Sequence, residues 1–272
     1  MMGDMGLESG RDDQLSSEGE ETARIRAVYR QRDSGGGRRR VVRDASIRLG
    51  AERLALTRQL LTQLLSEQHP RLLDVGCGGG GDLSYLRGAG WPAERLAGVD
   101  LIPSRLEAAR AACPDIDLRL SEGSAIPFPD DSVDVATAVT VFSSILDPDV
   151  RRALFAEMER VVRPGGVVVV YDFVIRKPTN PNVVGMPLRR LAELRRPPDG
   201  TLRLSPLLQA VAVAAALHPR LADWAMRFAP RTHRLSYWRK PSASLAATRD
   251  GREAEGRTSD SSMRCRSRPV TR

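Results

Sequence analysis

Two hydrophobic spacings alternate through the middle of the chain. Leu54, Leu56, Leu60, Leu61, Leu64 and Leu65 recur at helical spacing and predict an amphipathic helix over residues 51–66. Pro70 prevents its continuation. Short apolar runs then predict strands over residues 71–75, 95–99, 116–120, 133–141 and 167–173. Between them, helical patterns begin near Asp82, cover residues 104–112, and run from Asp147 to about residue 162. The run at 133–141 is almost continuously apolar, as a parallel strand covered on both faces requires. Strands alternating with helices predict an α/β fold, a mostly parallel sheet with helices on both faces.

The flanks are less regular. Residues 1–22 are acidic and polar without an apolar period, which predicts a disordered start. A short helix over residues 22–32 would bring Ile25, Val28 and Tyr29 to one side. Three glycines followed by Arg38, Arg39 and Arg40 read as a flexible basic loop. Prolines from Pro178 to Pro206 divide the next region into short pieces. Within it, residues 207–217 predict a buried helix. Residues 219–228 predict a second, with Leu221, Trp224, Ala225 and Phe228 inward. Residues 232–238 predict one strand returning to the sheet. Residues 241–272 are rich in Ser, Arg and Gly and predict a disordered basic tail. The expected division is therefore a disordered segment 1–22, a core 23–175, a substrate or cap region 176–240 and a tail 241–272.

The chemistry concentrates in residues 72–100. Strand, glycine loop, helix and strand follow one another, with glycines at 76, 78, 79, 80 and 81. This is half of a nucleotide-binding βαβ unit. Glycines let a ligand approach the backbone, and Asp100, ending the second strand, can accept both hydroxyls of a ribose. Gly76, Gly78 and Gly81 fit a dinucleotide fingerprint, which leaves a nicotinamide oxidoreductase as one reading. Asp74, two residues before the first glycine, argues against two phosphates at that end and for a cationic amino group. S-adenosyl-L-methionine carries such a group beside its sulfonium.

These residues resemble motif I and its follow-on in the class I S-adenosylmethionine-dependent methyltransferases. Residues 122–138 resemble that superfamily's adenine loop and fourth strand, and residues 154–173 its helix, Arg-Pro-Gly-Gly turn and fifth strand. The resemblance spans roughly residues 54–173. It implies a Rossmann-like seven-stranded sandwich with a helical substrate-side insertion. It also implies a cofactor site from Asp74, Gly76, Cys77, Gly78, Gly80, Asp100, Leu101, Ser124, Ala125 and Val139. The family commonly has an acid at the Ser124 position to hold the adenine amino group, and a helix near the amino terminus often closes over the cofactor. Serine is the weaker acceptor. The final strands usually form a hairpin, of which the sequence shows one.

Composition narrows the partners. The chain has 272 residues, 41% of them hydrophobic, and three cysteines without a pairing pattern, which points to a reducing compartment and a cytoplasmic location. Cys77 reads as a small packed residue of the loop, and no metal cluster is visible. The net charge of +8 is uneven. Residues 176–240 hold 13 Lys+Arg against 3 Asp+Glu, whereas residues 1–175 hold 22 against 27. A basic substrate region suits an anionic acceptor, and a solvated Arg-rich face is the plainer alternative. The expected acceptor is a small molecule or a glycan or lipid intermediate. An RNA methyltransferase and a non-catalytic protein keeping the cofactor fold are the alternatives. No aromatics interleave with the tail arginines to stack on bases, which argues against nucleic acid. Candidate bases are Asp172 and His233, with His218 and Tyr237 behind them and His69 at the far end of the sheet.

Overall fold

The computed structural model describes residues 5–34, 40–175, 180–206, 214, 217–228 and 230–242. Seven strands form one sheet in the order β3-β2-β1-β4-β5-β7-β6. They are β1 (Leu72–Val75), β2 (Leu96–Asp100), β3 (Asp117–Leu120), β4 (Val133–Val139), β5 (Val162–Phe173), β6 (Gly200–Pro206) and β7 (Arg231–Arg239). The first five pair in parallel, and β7 runs antiparallel to both β5 and β6. Both β1 and β2 are buried along their whole length, as the apolar runs require of central strands.

Two helical layers cover the sheet. On one face, α2 (Arg40–Leu64), α3 (Gly81–Gly88) and α4 (Pro103–Ala112) bury Leu54, Leu61, Leu83, Leu86 and Leu106 against Val135, Val167 and Val169. On the other, α5 (Pro148–Val161) buries Leu154, Phe155 and Met158 against Ala136, Val168, Val170 and Trp238. The start of α5 is fixed chemically. Asp147 accepts from the amides of Asp149 (2.7 Å) and Val150 (3.2 Å), and Pro148 follows it. Such a cap contributes about 1 kcal/mol.

The structure departs from the sequence reading in four places. First, residues 5–34 form one helix, α1 (Met5–Ser34), where a disordered start to residue 22 was expected. No apolar period announces it before the short helix expected over residues 22–32, and polar contacts hold much of its docked part. Glu21 is buried and accepts from Arg24 and from the Leu146 amide, while Arg24 donates to the Ser144 carbonyl at 2.6 Å.

Second, the last strands number two. β6 supplies the missing partner of β7, with Leu204 opposite His233 and Arg203 opposite Arg234. The proline-broken sequence around it hid a strand at the edge of the sheet, where prolines are tolerated. Third, a short helix α6 (Leu188–Ala192) lies between β5 and β6. Fourth, α7 (Pro219–Phe228) turns its large apolar side chains outward. Leu221, Trp224 and Phe228 are exposed, Trp224 at 61% and Phe228 at 64%. Periodicity predicted the stripe but could not say which side would be covered. The polar side is engaged instead, through Asp223, which accepts from Arg48 of α2 at 3.3 Å. The basic loop at 35–39, most of the helix expected over 207–217 and the tail from 243 lie outside the described residues.

Candidate functional site

The glycine loop leaves β1 and turns under β2. The amides of Gly76 and Cys77 both donate to the Val99 carbonyl, at 2.8 and 2.9 Å. Gly76 has φ +74°, and a Cβ added there would stand 2.6 Å from Val141 Cγ2, so only glycine fits. Gly80 has φ +77° and opens α3, with Ala109 of α4 packed close to it. Between them the Gly78 amide donates to Asp100 Oδ2 at 2.7 Å, and the Ile102 amide donates to Oδ1 at 2.8 Å. Asp100 is thus fixed by two backbone donors, each taking one lone pair of an oxygen that has two. Burial nevertheless raises its pKa.

These residues border a cavity of about 180 Å³ at the carboxyl ends of β1, β2 and β4. Gly76, Asp100 and Leu101 form one wall, Ser124 and Gly123 another, and Val139 and Thr140 a third. Thr140 takes φ +56°, a conformation that costs a β-branched residue energy and that gathers at functional sites. Its amide donates to the Tyr171 carbonyl at 2.7 Å, which holds the bend. Helix α1 contributes Thr22, Ile25 and Tyr29 as a roof. Tyr29 OH is 3.2 Å from Ser144 Oγ, and the Arg105 guanidinium lies 4.2 Å from the Tyr29 ring centroid.

Five of the residues expected at the cofactor site therefore line this cavity: Gly76, Asp100, Leu101, Ser124 and Val139. Gly78 and Gly80 shape the loop behind them, and Ala125 closes the turn after β3 by donating its amide hydrogen to the Glu122 carbonyl. Cys77 is buried in the loop, and burial pushes its thiol pKa far up, so it packs rather than reacts.

Asp74 is placed differently from the expectation. It lies under the loop beside a second, small cavity shared with Arg53, Asp82 and Tyr171, and not in the wall of the larger one. Thr137 Oγ1 donates to it at 3.0 Å. Burial, reinforced by the nearby Asp82 carboxylate, raises its pKa to about 7. Arg53 is drawn to Asp82 instead, at 2.6 Å.

The two candidate bases stand on opposite faces of the sheet. Asp172 pairs with Arg234 and His233 with Phe173 across β5 and β7, so successive residues point apart. Asp172 is buried and accepts from the amides of Ser143 and Phe173, both at 2.8 Å, and burial raises its pKa to about 6. It holds the turn after β4 in place. His233 is packed beside the Tyr171 and Phe173 rings, with Nδ1 3.1 Å from Thr232 Oγ1. Neither lines the larger cavity. His218 is exposed and accepts from the Arg220 amide at the start of α7, and His69 packs on Trp91 before β1.

Sequence reasoning missed Glu18. Its Oε1 accepts from both the amide and the hydroxyl of Ser124, at 2.5 and 2.6 Å. A carboxylate therefore does reach the Ser124 position, from α1 rather than from the loop. Only the docking of α1 brings it there, and no local motif marks it.

The family model described as a methyltransferase domain matches residues 73–170, which run from β1 almost to the end of β5. Through these residues the chain is similar to the S-adenosylmethionine-dependent methyltransferases. An O-methyltransferase of Penicillium expansum is 30% identical over 149 residues, covering 53% of this chain and 51% of the relative. A phthiotriol/phenolphthiotriol dimycocerosates methyltransferase of Mycobacterium ulcerans is 34% identical over 131 residues, covering 45% and 46%. The chain thus spans about half the length of the curated relatives it matches. A SAM-dependent methyltransferase structure from Methanosarcina mazei superimposes with a TM-score of 0.50 at 17% identity, covering 67% of this chain and 97% of that one. It shows the shared fold. The cofactor of the methyltransferase domain is S-adenosylmethionine, and the cavity suits it. A fixed acid at the end of β2 borders the cavity, and the glycine turn at Gly76 leaves no side chain in the way.

Proposed function

We propose that the chain transfers the methyl group of S-adenosylmethionine to a small-molecule, glycan or lipid-intermediate acceptor. The observation that carries this reading is the wall of the larger cavity, where Asp100 is pinned by two amides beside a glycine turn that excludes a Cβ.

Bound there, the cofactor supplies an electrophilic methyl on a sulfonium that departs as a neutral thioether. The protein's share is placement, because an in-line displacement gains most from holding donor and acceptor in line. Asp100 would accept the two ribose hydroxyls with the lone pairs its amide donors leave open. Glu18 and Ser124 would form the adenine end, with Glu18 accepting from the adenine amino group in place of a loop acid. Ile25 and Tyr29 of α1 shield the cavity from water. The bend at Thr140 keeps the end of β4 in the cavity wall, where it would border the bound cofactor.

The P. expansum relative is named an O-methyltransferase and the M. ulcerans relative is named for dimycocerosates. Together with the basic residues at 176–240 these names support an acceptor of the small-molecule or lipid kind. The test is a methyl-transfer assay with labelled cofactor against a panel of hydroxy, amino and activated-carbon acceptors. Label should pass to one class and should be lost in Asp100→Ala. Tight cofactor binding with no transfer to any class would favour a non-catalytic role.

A further inference from the structure

Arg234 presents an unsolved charge. It sits mid-strand on β7, only 7% exposed, and its Nε and Nη1 are buried without a hydrogen-bond partner. The basic neighbours along β7 are accounted for. Arg231 bonds Glu52 at 3.1 Å, Arg239 bonds the Leu64 carbonyl at 3.0 Å, and Lys240 bonds Asp131 at 2.7 Å. A buried guanidinium with unmet donors is costly, and native structures rarely tolerate one without a purpose.

Its surroundings raise the cost. Asp172 stands directly opposite on β5, yet its oxygens are taken by the amides of Ser143 and Phe173 and it makes no ion pair with Arg234. Arg203 stands opposite on β6, on the same side of the sheet. Burial, and then the like charge of Arg203, lower the Arg234 pKa. Two guanidiniums against one carboxylate leave one positive charge unmatched in this row.

The position is suggestive. β7 runs antiparallel to β5, so Arg234 lies at the end of the sheet where the parallel strands finish. Alternation puts it on the α5 side, with Val168, Val170 and Trp238. That is also the side of the larger cavity, which Val150 and Leu154 of α5 border. The two are linked by a single turn, since Ser143 donates to Asp172 while the next residue, Ser144, lines the cavity.

We propose that Arg234, assisted by Arg203, anchors an anionic group of the methyl acceptor, a carboxylate or a phosphate. The assignment rests on the methyltransferase reading above and adds the acceptor's chemical class. The planar fork of the guanidinium matches either oxyanion with two parallel hydrogen bonds. Such a ligand satisfies the donors that the protein leaves unmet, and it neutralises the excess charge of the row. An acceptor lacking the anion leaves those donors buried and unpaired, so the same residue selects as well as binds.

The experiment titrates the purified full chain, saturated with S-adenosylhomocysteine, with sodium phosphate and separately with sodium acetate, against sodium chloride at equal ionic strength. Binding is read by melting temperature and by calorimetry. One of the two oxyanions should raise the melting temperature beyond chloride, and which one does so separates phosphate from carboxylate. Its apparent affinity should fall at least tenfold in Arg234→Gln, fall less in Arg234→Lys, and fall severalfold in Arg203→Gln. Without added anion, Arg234→Met should melt no lower than the wild type, because it removes an unpaired buried charge. Equal responses to oxyanions and chloride, or undiminished affinity in Arg234→Gln, would overturn the assignment. So would a markedly lower melting temperature of anion-free Arg234→Met, which marks a structural guanidinium. Affinity for S-adenosylhomocysteine, measured in the same samples, reports separately on the cofactor reading and should be the same in the wild type and all four variants.

Discussion

Asp100 ends β2 and Asp74 is the last but one residue of its neighbour β1, yet their surroundings differ. Asp100 faces the larger cavity with its orientation set by the Gly78 and Ile102 amides. Replacing it with alanine should weaken S-adenosylhomocysteine binding by about 1–3 kcal/mol, the scale of lost hydrogen bonds to a charged group. Unchanged affinity by calorimetry would remove Asp100 from the site. Asp74 is buried, and its pKa is raised from 3.8 to about 7. The folded chain therefore holds that proton longer than the unfolded chain. Stability associated with Asp74 is present below about pH 4 and is lost as pH rises toward 7. Asp74→Asn removes this dependence. Its stability relative to the wild type should increase between pH 4 and 7 and then level, with a gain of at least about 1 kcal/mol at pH 8. Urea unfolding of both proteins at pH 4.5 and pH 8 checks this, and a difference that does not change with pH would contradict it. The sequence identified both aspartates as functional, but only the structure separates their roles. Spacing placed each at a strand end, whereas the direction of a side chain depends on what packs behind the loop.

At the scale of elements, α1 matters most for the site. Glu18 bonds Ser124, Glu21 bonds Leu146, Arg24 bonds Ser144, and Tyr29 stands over the cavity. Removing residues 1–34 should leave the sheet folded and accelerate cofactor release at least tenfold, measured by stopped-flow displacement. Glu18→Gln should reproduce part of that loss. Equal release rates would show that α1 does not cover the bound cofactor. Apart from β3, of which only Leu118 is buried, the strands and helices from β1 to β5 were legible because each buries apolar residues against a neighbour, and burial writes a period into sequence. α1 and β6 were not. One is docked by charged side chains, and the other is an edge strand bounded by proline. For α7 the apolar stripe was legible, but the side it presents to solvent was not.

For the whole molecule, the sheet divides the labour. Its β1 to β4 half borders the larger cavity, and its β5, β7 and β6 half carries Arg234 and Arg203, to which the proposal assigns the acceptor's anionic group. The charge imbalance at 176–240 was visible in the sequence as a number. The one buried guanidinium in it that lacks partners on Nε and Nη1, among the described residues, became visible only when β6 and β7 were paired. No helix among the described residues is long and apolar enough to cross a membrane. The central claim is that the cavity beside Asp100 accepts a sulfonium nucleoside and not a dinucleotide. Calorimetric titration of the purified chain with S-adenosylhomocysteine and, in parallel, with nicotinamide adenine dinucleotide tests it most directly. Saturable one-to-one binding of the first and none of the second is expected, while indifference to S-adenosylhomocysteine or preference for the dinucleotide would contradict it.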